Sequence, residues 1–181
     1  MALLQQKIVI TGGPGTGKST IIDHLTALEY ECMPEISRAI TREAQRSGVD
    51  QLFLTDPLLF SELLLQGRVD QFTRADTKTK GPVFFDRGIP DVFGYLNYLG
   101  MDFPEVFLEK SKKHRYSRVF MMPPWEDIYT TDNERYESFS QSLLIYKHLR
   151  EAYFAMDYEV ITVPQGSVGD RVEFILESLG R

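Results

Sequence analysis

The chain has 181 residues, of which 43% are hydrophobic and 25% charged, and its formal net charge is −6. This length fits one domain, residues 1–181, with a sizeable core, and the composition excludes a disordered chain. The acidic balance disfavours nonspecific nucleic-acid binding. Cys32 is the single cysteine, which excludes an internal disulfide, and no apolar stretch is long enough to cross a bilayer. We therefore expect a cytoplasmic protein.

Strand-like and helix-like segments alternate along the chain, which predicts an α/β fold with a mainly parallel sheet of five strands. The predicted strands are Lys7–Thr11, Tyr30–Pro34, Val83–Asp86, Arg118–Met122 and Tyr158–Val163. The predicted helices are Lys18–Glu29, Ser37–Arg46, Pro57–Lys78, Asp91–Leu99, Glu105–Lys113, Arg135–Met156 and Val168–Gly180.

The segment Gly12–Ser19 follows the first strand and matches the pattern G-x-x-x-x-G-K-[ST]. Its glycines let the backbone form a concave row of N–H groups, to which the next helix adds the positive end of its dipole. Lys18 can reach the β- and γ-phosphates of a nucleoside triphosphate, and Ser19 can give Mg²⁺ a hydroxyl ligand. The apolar strand before the loop and the amphipathic helix after it are the context that this motif requires.

We accordingly predict ATP and Mg²⁺ as ligands, although the motif does not choose between adenine and guanine. The residues predicted to hold the nucleotide are Gly13, Pro14, Gly15, Thr16, Gly17, Lys18, Ser19 and Thr20.

Asp86 and Arg87 end the third predicted strand. In doubly wound sheets, ligands bind beyond the carboxyl ends of the strands. A carboxylate at position 86 can hold Mg²⁺ or take a proton from an attacking hydroxyl, and Arg87 can neutralise charge on a transferring phosphoryl group. The alternative is an Asp–Arg turn on the surface.

Glu35 and Arg38 follow the second predicted strand at a spacing that lets them share one face of a helix start. Glu35 could bind or activate a substrate hydroxyl, and Arg38 could hold a phosphate or carboxylate. A plain surface ion pair is the alternative. Gln66 lies within the long predicted helix, where its amide could contact a base or sugar edge of the substrate.

A polar segment near residues 124–140 follows the fourth predicted strand and is interpreted as a lid. Lids of phosphotransferases carry arginines that close on the phosphates and exclude water. Arg135 is the candidate for that catalytic role, with a merely solvated charge as the alternative. Asp132 could orient Arg135 or cap the following helix.

Several segments, taken in order, resemble the small AAA-domain ATPase/kinase family. That family includes the ribosylnicotinamide kinase domain of the bacterial NAD regulator and an animal GTP- and phosphoinositide-binding protein. The segments are the phosphate loop, Pro34–Arg38, Phe85–Asp91, Pro123–Tyr129 and Asp132–Arg135. The sequence Asp86-Arg87-Gly88 also resembles the Asp-Arg and Glu-Arg pairs of nucleoside and nucleotide kinases.

This resemblance covers nearly the whole chain and implies a P-loop kinase-like, three-layer α/β/α sandwich. It implies that Lys18, Ser19, Asp86 and Arg135 serve the nucleotide, and that Glu35 and Arg38 face a second substrate.

Three functions are compatible with these residues, of which the last is a nucleotide-binding subunit with no turnover of its own. The first is a small-molecule kinase that transfers the γ-phosphoryl group of Mg·ATP to an unidentified nucleoside-like or other small acceptor. The second is a nucleotide-dependent switch, a slow ATPase or GTPase that binds a protein or phosphoinositide partner. The chain has no Asn-Lys-x-Asp motif of the kind that reads guanine in conventional GTPases. The strand-end carboxylate and the lid arginine favour the kinase, and the oligomeric state stays open.

Overall fold

The computed structural model describes residues 5–75, 81–129 and 137–180. Within these residues the strands are β1 (Lys7–Gly12), β2 (Glu31–Met33), β3 (Val83–Asp86), β4 (Arg118–Met122) and β5 (Val160–Thr162). The helices are α1 (Lys18–Ala27), α2 (Ser37–Arg46), α3 (Leu52–Thr55), α4 (Pro57–Ala75), α5 (Ile89–Tyr98), α6 (Val106–Lys113), α7 (Phe139–Ala155) and α8 (Val168–Ser178). A short 3-10 helix spans Glu126–Ile128.

The strands form one parallel sheet in the order β2-β3-β1-β4-β5. Each of β1 to β4 is therefore followed by a crossover to the next strand, and all carboxyl ends meet at one edge of the sheet. The register pairs Ile10 of β1 with Asp86 of β3 and Gly12 with Met122 of β4. The phosphate loop, which follows β1 at the centre of the sheet, thus emerges between the ends of β3 and β4.

Side chains of the central strands alternate between two cores, because successive residues of a strand point to opposite faces of the sheet. Val9, Phe85 and Met121 pack with α4, α5 and α7 on one face. Ile8, Ile10, Phe84 and Phe120 pack with α1 and α8 on the other. The fold is the expected three-layer α/β/α sandwich, and its central strands are buried on both faces, as is typical of parallel sheets.

The predicted strands are all present, but several predicted helix ends differ. Helix α5 begins at Ile89 rather than Asp91, because the Asp91 carboxylate accepts a hydrogen bond from the Gly88 N–H (2.8 Å) and caps the helix from inside its first turn. Helix α7 begins at Phe139. Ser138 and Gln141 form a reciprocal capping box there, with distances of 2.7 and 3.2 Å.

Other differences are small. The short helix α3 was not predicted, and β5 is shorter than the predicted Tyr158–Val163. Helix α4 starts at Pro57 as expected, and Asp56 caps it by accepting a hydrogen bond from the Leu59 N–H (3.0 Å). In the described part of the chain, the longest helices are too short or too polar to traverse a lipid bilayer.

Candidate active site

The phosphate loop is held in shape by contacts to the Gly13 carbonyl. The Thr16 hydroxyl and the Lys18 ammonium both donate to it, at 3.0 and 2.9 Å. Gly15 and Gly17 adopt φ values of +70° and +82°, in the left-handed region that side chains disfavour. The sequence therefore needs glycine at these positions to turn the backbone between β1 and α1.

Lys18 is buried at the start of α1. Burial lowers the pKa of its ammonium to about 7, and the charge of Arg87 contributes in the same direction. The carboxylates of Asp86 and Glu35 oppose this shift without cancelling it. A buried cation that its surroundings do not neutralise fully is an electrostatic site for an anion.

Asp86 ends β3 beside the phosphate loop, as predicted. Its side chain is buried, and its Oδ1 atom has no hydrogen-bond partner among the described residues. Burial raises the pKa of the carboxyl, whereas the charge of Lys18 lowers it. An orphaned buried carboxylate oxygen fits a cation ligand, because such an oxygen is otherwise paired in native proteins.

Glu35 lies between β2 and α2 and binds two arginines. Its Oε2 atom contacts Arg87 Nε at 2.7 Å, and its Oε1 atom contacts Arg68 Nη2 at 3.2 Å. The backbone N–H groups of Ile36 and Ser37 also donate to Oε1, at 2.9 and 3.1 Å. The alternative considered from the sequence, a surface ion pair with Arg38, is therefore not what holds Glu35.

These contacts keep Glu35 ionised. Burial alone would raise the pKa of this carboxyl, but the charges of Arg68 and Arg87 outweigh it and lower the pKa to about 2. The side chain retains about a fifth of its surface exposure, so one edge of the anion can still be reached from outside.

Arg87 connects Glu35 to the start of α5. Its backbone has φ +71°, a left-handed conformation that is uncommon for a residue with a side chain. The guanidinium lies 3.4 Å from Asp91 and over the ring of Tyr95, 5.3 Å from the centroid. The contact to Glu35 and these two contacts fix the group at the end of β3.

Arg68 of α4 is a buried member of this cluster that the sequence analysis missed. Besides Glu35, it binds the carbonyl of Asp86 (3.3 Å), and the nearby Gln71 amide donates to the Pro34 carbonyl (2.7 Å). A signal was available. Arg68 and Gln71 continue, at helical spacing, the stripe that begins at Leu64 and points into the core.

Asp91 is a second residue that the analysis did not single out. It is buried and accepts hydrogen bonds from the Thr11 hydroxyl of β1, the Tyr153 hydroxyl of α7 and the Gly88 N–H. Burial and the Asp91 carboxylate raise the pKa of Tyr153 well above its usual value. We call Glu35, Arg68, Arg87 and Asp91 the carboxylate–arginine cluster.

Other predicted site residues are exposed or lie outside the described part of the chain. Ser19 and Thr20 are exposed in the first turn of α1, and Arg38 is exposed on α2. Gln66 is exposed on α4 and donates to Asp70 (2.8 Å), about 200° around the helix from the buried Arg68. The structure does not bring Gln66 to the cluster. Asp132 and Arg135 lie outside the described residues.

A family model described as "AAA domain" matches residues 7–171, nearly the whole chain. The chain belongs to this family. No curated protein sequence matches the chain.

Solved structures of three kinds share the fold. Deoxyadenosine kinase from M. mycoides with bound dCMP and dCDP is 17% identical, with a TM-score of 0.70 over 97% of this chain and 99% of that chain. NadR protein in complex with NR is 15% identical, with a TM-score of 0.72, and the match covers 97% of this chain and 50% of that one. Thymidylate kinase from Ehrlichia chaffeensis is 15% identical, with a TM-score of 0.63 over 97% and 98%.

Proposed function

We propose that this member of the AAA domain family is a small-molecule kinase that transfers the γ-phosphoryl group of Mg·ATP to a nucleoside-like or other small acceptor. The observation that carries the proposal is the pairing of Glu35 with Arg87 (2.7 Å) beside the phosphate loop. This pair puts an ionised carboxylate and a guanidinium near Asp86 at the end of β3 and near Lys18 at the start of α1. Phosphoryl transfer needs both a hydroxyl-orienting group and cations around the transferred phosphate.

On the nucleotide side, residues 13–20 hold the triphosphate with Lys18 against its β- and γ-phosphates. Ser19 and Asp86 hold Mg²⁺, which neutralises phosphate charge when bound. The unpartnered Oδ1 of Asp86 and the exposed hydroxyl position of Ser19 support this assignment.

On the acceptor side, Glu35 accepts a hydrogen bond from the acceptor hydroxyl and orients its oxygen towards the γ-phosphorus. That oxygen forms the new P–O bond as the bond from the γ-phosphorus to the β–γ bridging oxygen breaks, and ADP leaves. A carboxylate with a pKa of about 2 is a weak base. Its main contribution is therefore orientation, which suits a loose transition state in which the hydroxyl proton is lost late, to an oxygen of the transferred phosphoryl group or to water.

Arg87 supplies positive charge near the transferring group, and Arg135, which lies outside the described residues, is proposed as a further cation for the phosphates. Arg38 is proposed to contact the distal part of the acceptor, whereas Gln66 faces away from the cluster on α4 and is given no such role. The kinases that share this fold, which by name act on deoxyadenosine and thymidylate, support a nucleoside-like acceptor.

The test is ADP release by the purified protein with Mg·ATP, alone and with pools of nucleosides, nucleotides, nicotinamide riboside, sugars and inositol phosphates. We expect one pool to stimulate release and to gain a phosphate detectable by mass spectrometry. Slow release that no pool stimulates would overturn the kinase proposal and favour the nucleotide switch. A second trial with Mg·GTP decides the base preference of the donor.

A further inference from the structure

Arg171 is a buried cation that packs against the phosphate loop. It lies in the first turns of α8 with 4% of its surface exposed, and no acidic residue in the described part of the chain forms an ion pair with it. The neighbouring Asp170 is engaged with Ser167 in the helix cap (2.6 Å). Burying a guanidinium without a carboxylate partner costs folding free energy, which is typical of a residue with a functional role.

The contacts of Arg171 are to the loop. Its Nη2 atom donates to the Thr16 carbonyl at 2.8 Å and lies 3.6 Å from the Met122 sulfur. Its Nη1 atom lies 2.8 Å from the point that a Cβ atom on Gly17 would occupy. Its Nε atom is buried without a hydrogen-bond partner among the described residues. Arg171 therefore packs directly on the peptide unit that joins Thr16 and Gly17.

That peptide unit is planar and trans, so its C=O and N–H groups point to opposite sides. With the Thr16 carbonyl held towards Arg171 of α8, the Gly17 N–H points the other way, away from the guanidinium. Gly17, whose N–H is part of this peptide unit, has a left-handed φ of +82°. A charged donor on the carbonyl also polarises the peptide and makes its N–H a stronger donor.

We propose that Arg171 is a positioning residue that orients the Thr16–Gly17 peptide for polyphosphate binding and transmits its buried positive charge through that peptide. The inference rests on the proposed function only in that the loop binds phosphate, and it adds a residue from the far end of the chain to that site. Burial without a carboxylate partner also lowers the pKa of Arg171.

An alternative role is direct contact with the nucleobase, since the Arg171 guanidinium lies 5.9 Å from the ring centroid of Trp125. The two roles differ in what they require of the ligand. Positioning of the loop acts on any polyphosphate, whereas contact with a base acts only on a nucleotide.

The test compares binding of Mg·ATP and of magnesium tripolyphosphate, which has no base, to the full chain by calorimetry. Arg171→Met keeps most of the apolar stem and removes the donors. We expect this variant to bind both ligands at least about tenfold more weakly, the usual effect of losing a charged hydrogen bond. Arg150→Met, at an exposed arginine of α7 packed on Phe154, is the matched control and should bind both as the wild-type protein does.

If Arg171→Met does not fold, Arg171→Gln replaces it, because its shorter amide cannot reach the Thr16 carbonyl. Unchanged tripolyphosphate affinity in the folded variant would overturn the inference, and a loss confined to ATP would assign Arg171 to the base instead. If the wild-type protein binds neither ligand, the phosphate-loop function fails and the inference fails with it.

Discussion

The phosphate loop and the carboxylate–arginine cluster lie side by side at the same edge of the sheet but are built differently. The loop is one run of consecutive residues, Gly12–Ser19, closed by local contacts to the Gly13 carbonyl. The cluster draws one residue from the β2–α2 connection, one from α4 and two from the β3–α5 junction. The difference shows that a run of consecutive residues can specify the shape of a loop, whereas the carboxylate–arginine cluster forms only where several elements converge.

Electrically the two regions are opposites that complement each other. The loop ends in a buried ammonium whose pKa burial lowers to about 7, whereas the cluster holds a carboxylate whose pKa two arginines lower to about 2. The carboxylates near Lys18 do not compensate for the burial of its ammonium, whereas Arg68 and Arg87 more than compensate for the burial of the Glu35 carboxylate. We expect nucleotide binding to change the protonation of Lys18 and to leave Glu35 ionised.

The largest effect should come from removing the charge of the loop. Lys18→Met is expected to lower nucleotide-dependent ADP release by at least about 100-fold, because the ammonium is proposed to contact the phosphates that carry the transition-state charge. Lys147→Met is the matched control at an exposed lysine of α7, and its activity should be unchanged. Full activity in Lys18→Met would contradict the role given to the loop.

Glu35→Gln tests whether the cluster serves the acceptor rather than the nucleotide. Acceptor-dependent turnover should fall by about 100-fold, since the neutral amide orients the hydroxyl poorly, while the Kd for Mg·ATP changes by less than about threefold. Glu43→Gln, at an exposed glutamate paired with Arg46, provides the control. Equal losses in turnover and in nucleotide affinity would remove the distinction between the two regions.

Arg68→Met tests the structural contribution of the cluster. The variant leaves Glu35 with Arg87 as its remaining arginine partner and removes a buried bond to the Asp86 carbonyl. We expect the free energy of unfolding to fall by about 2–3 kcal/mol, measured by urea denaturation. The exposed Arg46→Met should change it by no more than about 0.5 kcal/mol. Similar values for both variants would show that the cluster does not stabilise the fold.

The smallest effect concerns the protonation of Lys18. Nucleotide phosphates favour the ammonium form, so binding near pH 8 should take up close to one proton, seen by calorimetry in buffers of different ionisation enthalpy. Affinity should fall by up to about tenfold per pH unit above pH 7.5, where the phosphates are already fully ionised. Binding that takes up no proton would mean that Lys18 is charged before the nucleotide arrives.

The titration of Lys18 also affects the free energy of unfolding, with a pH dependence opposite to that of nucleotide affinity. The unfolded chain holds the Lys18 proton up to about pH 10.5, whereas the folded protein releases it near pH 7. Between these values the unfolded chain binds more protons, so the contribution of Lys18 to the free energy of unfolding rises with pH. Ligand-free stability and nucleotide affinity should therefore move in opposite directions above neutral pH.

Local patterns predicted most of the fold. The strands, the phosphate loop and the start of α4 at Pro57 all depend on short-range preferences, such as β-branched runs, glycine freedom and a helix cap. The start of α7 was misplaced because the capping box at Ser138 lies within a polar stretch where several residues could begin a helix.

The sequence by itself determined that the chain has a phosphate loop at the end of a buried strand, because eight consecutive residues fix that backbone. It also marked Asp86, Arg87 and Glu35 as strand-end residues. Only the tertiary structure decided what they contact. Parallel crossovers bring Arg68 to Glu35 and, across 155 positions, Arg171 to Thr16. Such contacts depend on how helices pack on the sheet, and no spacing along the chain encodes them.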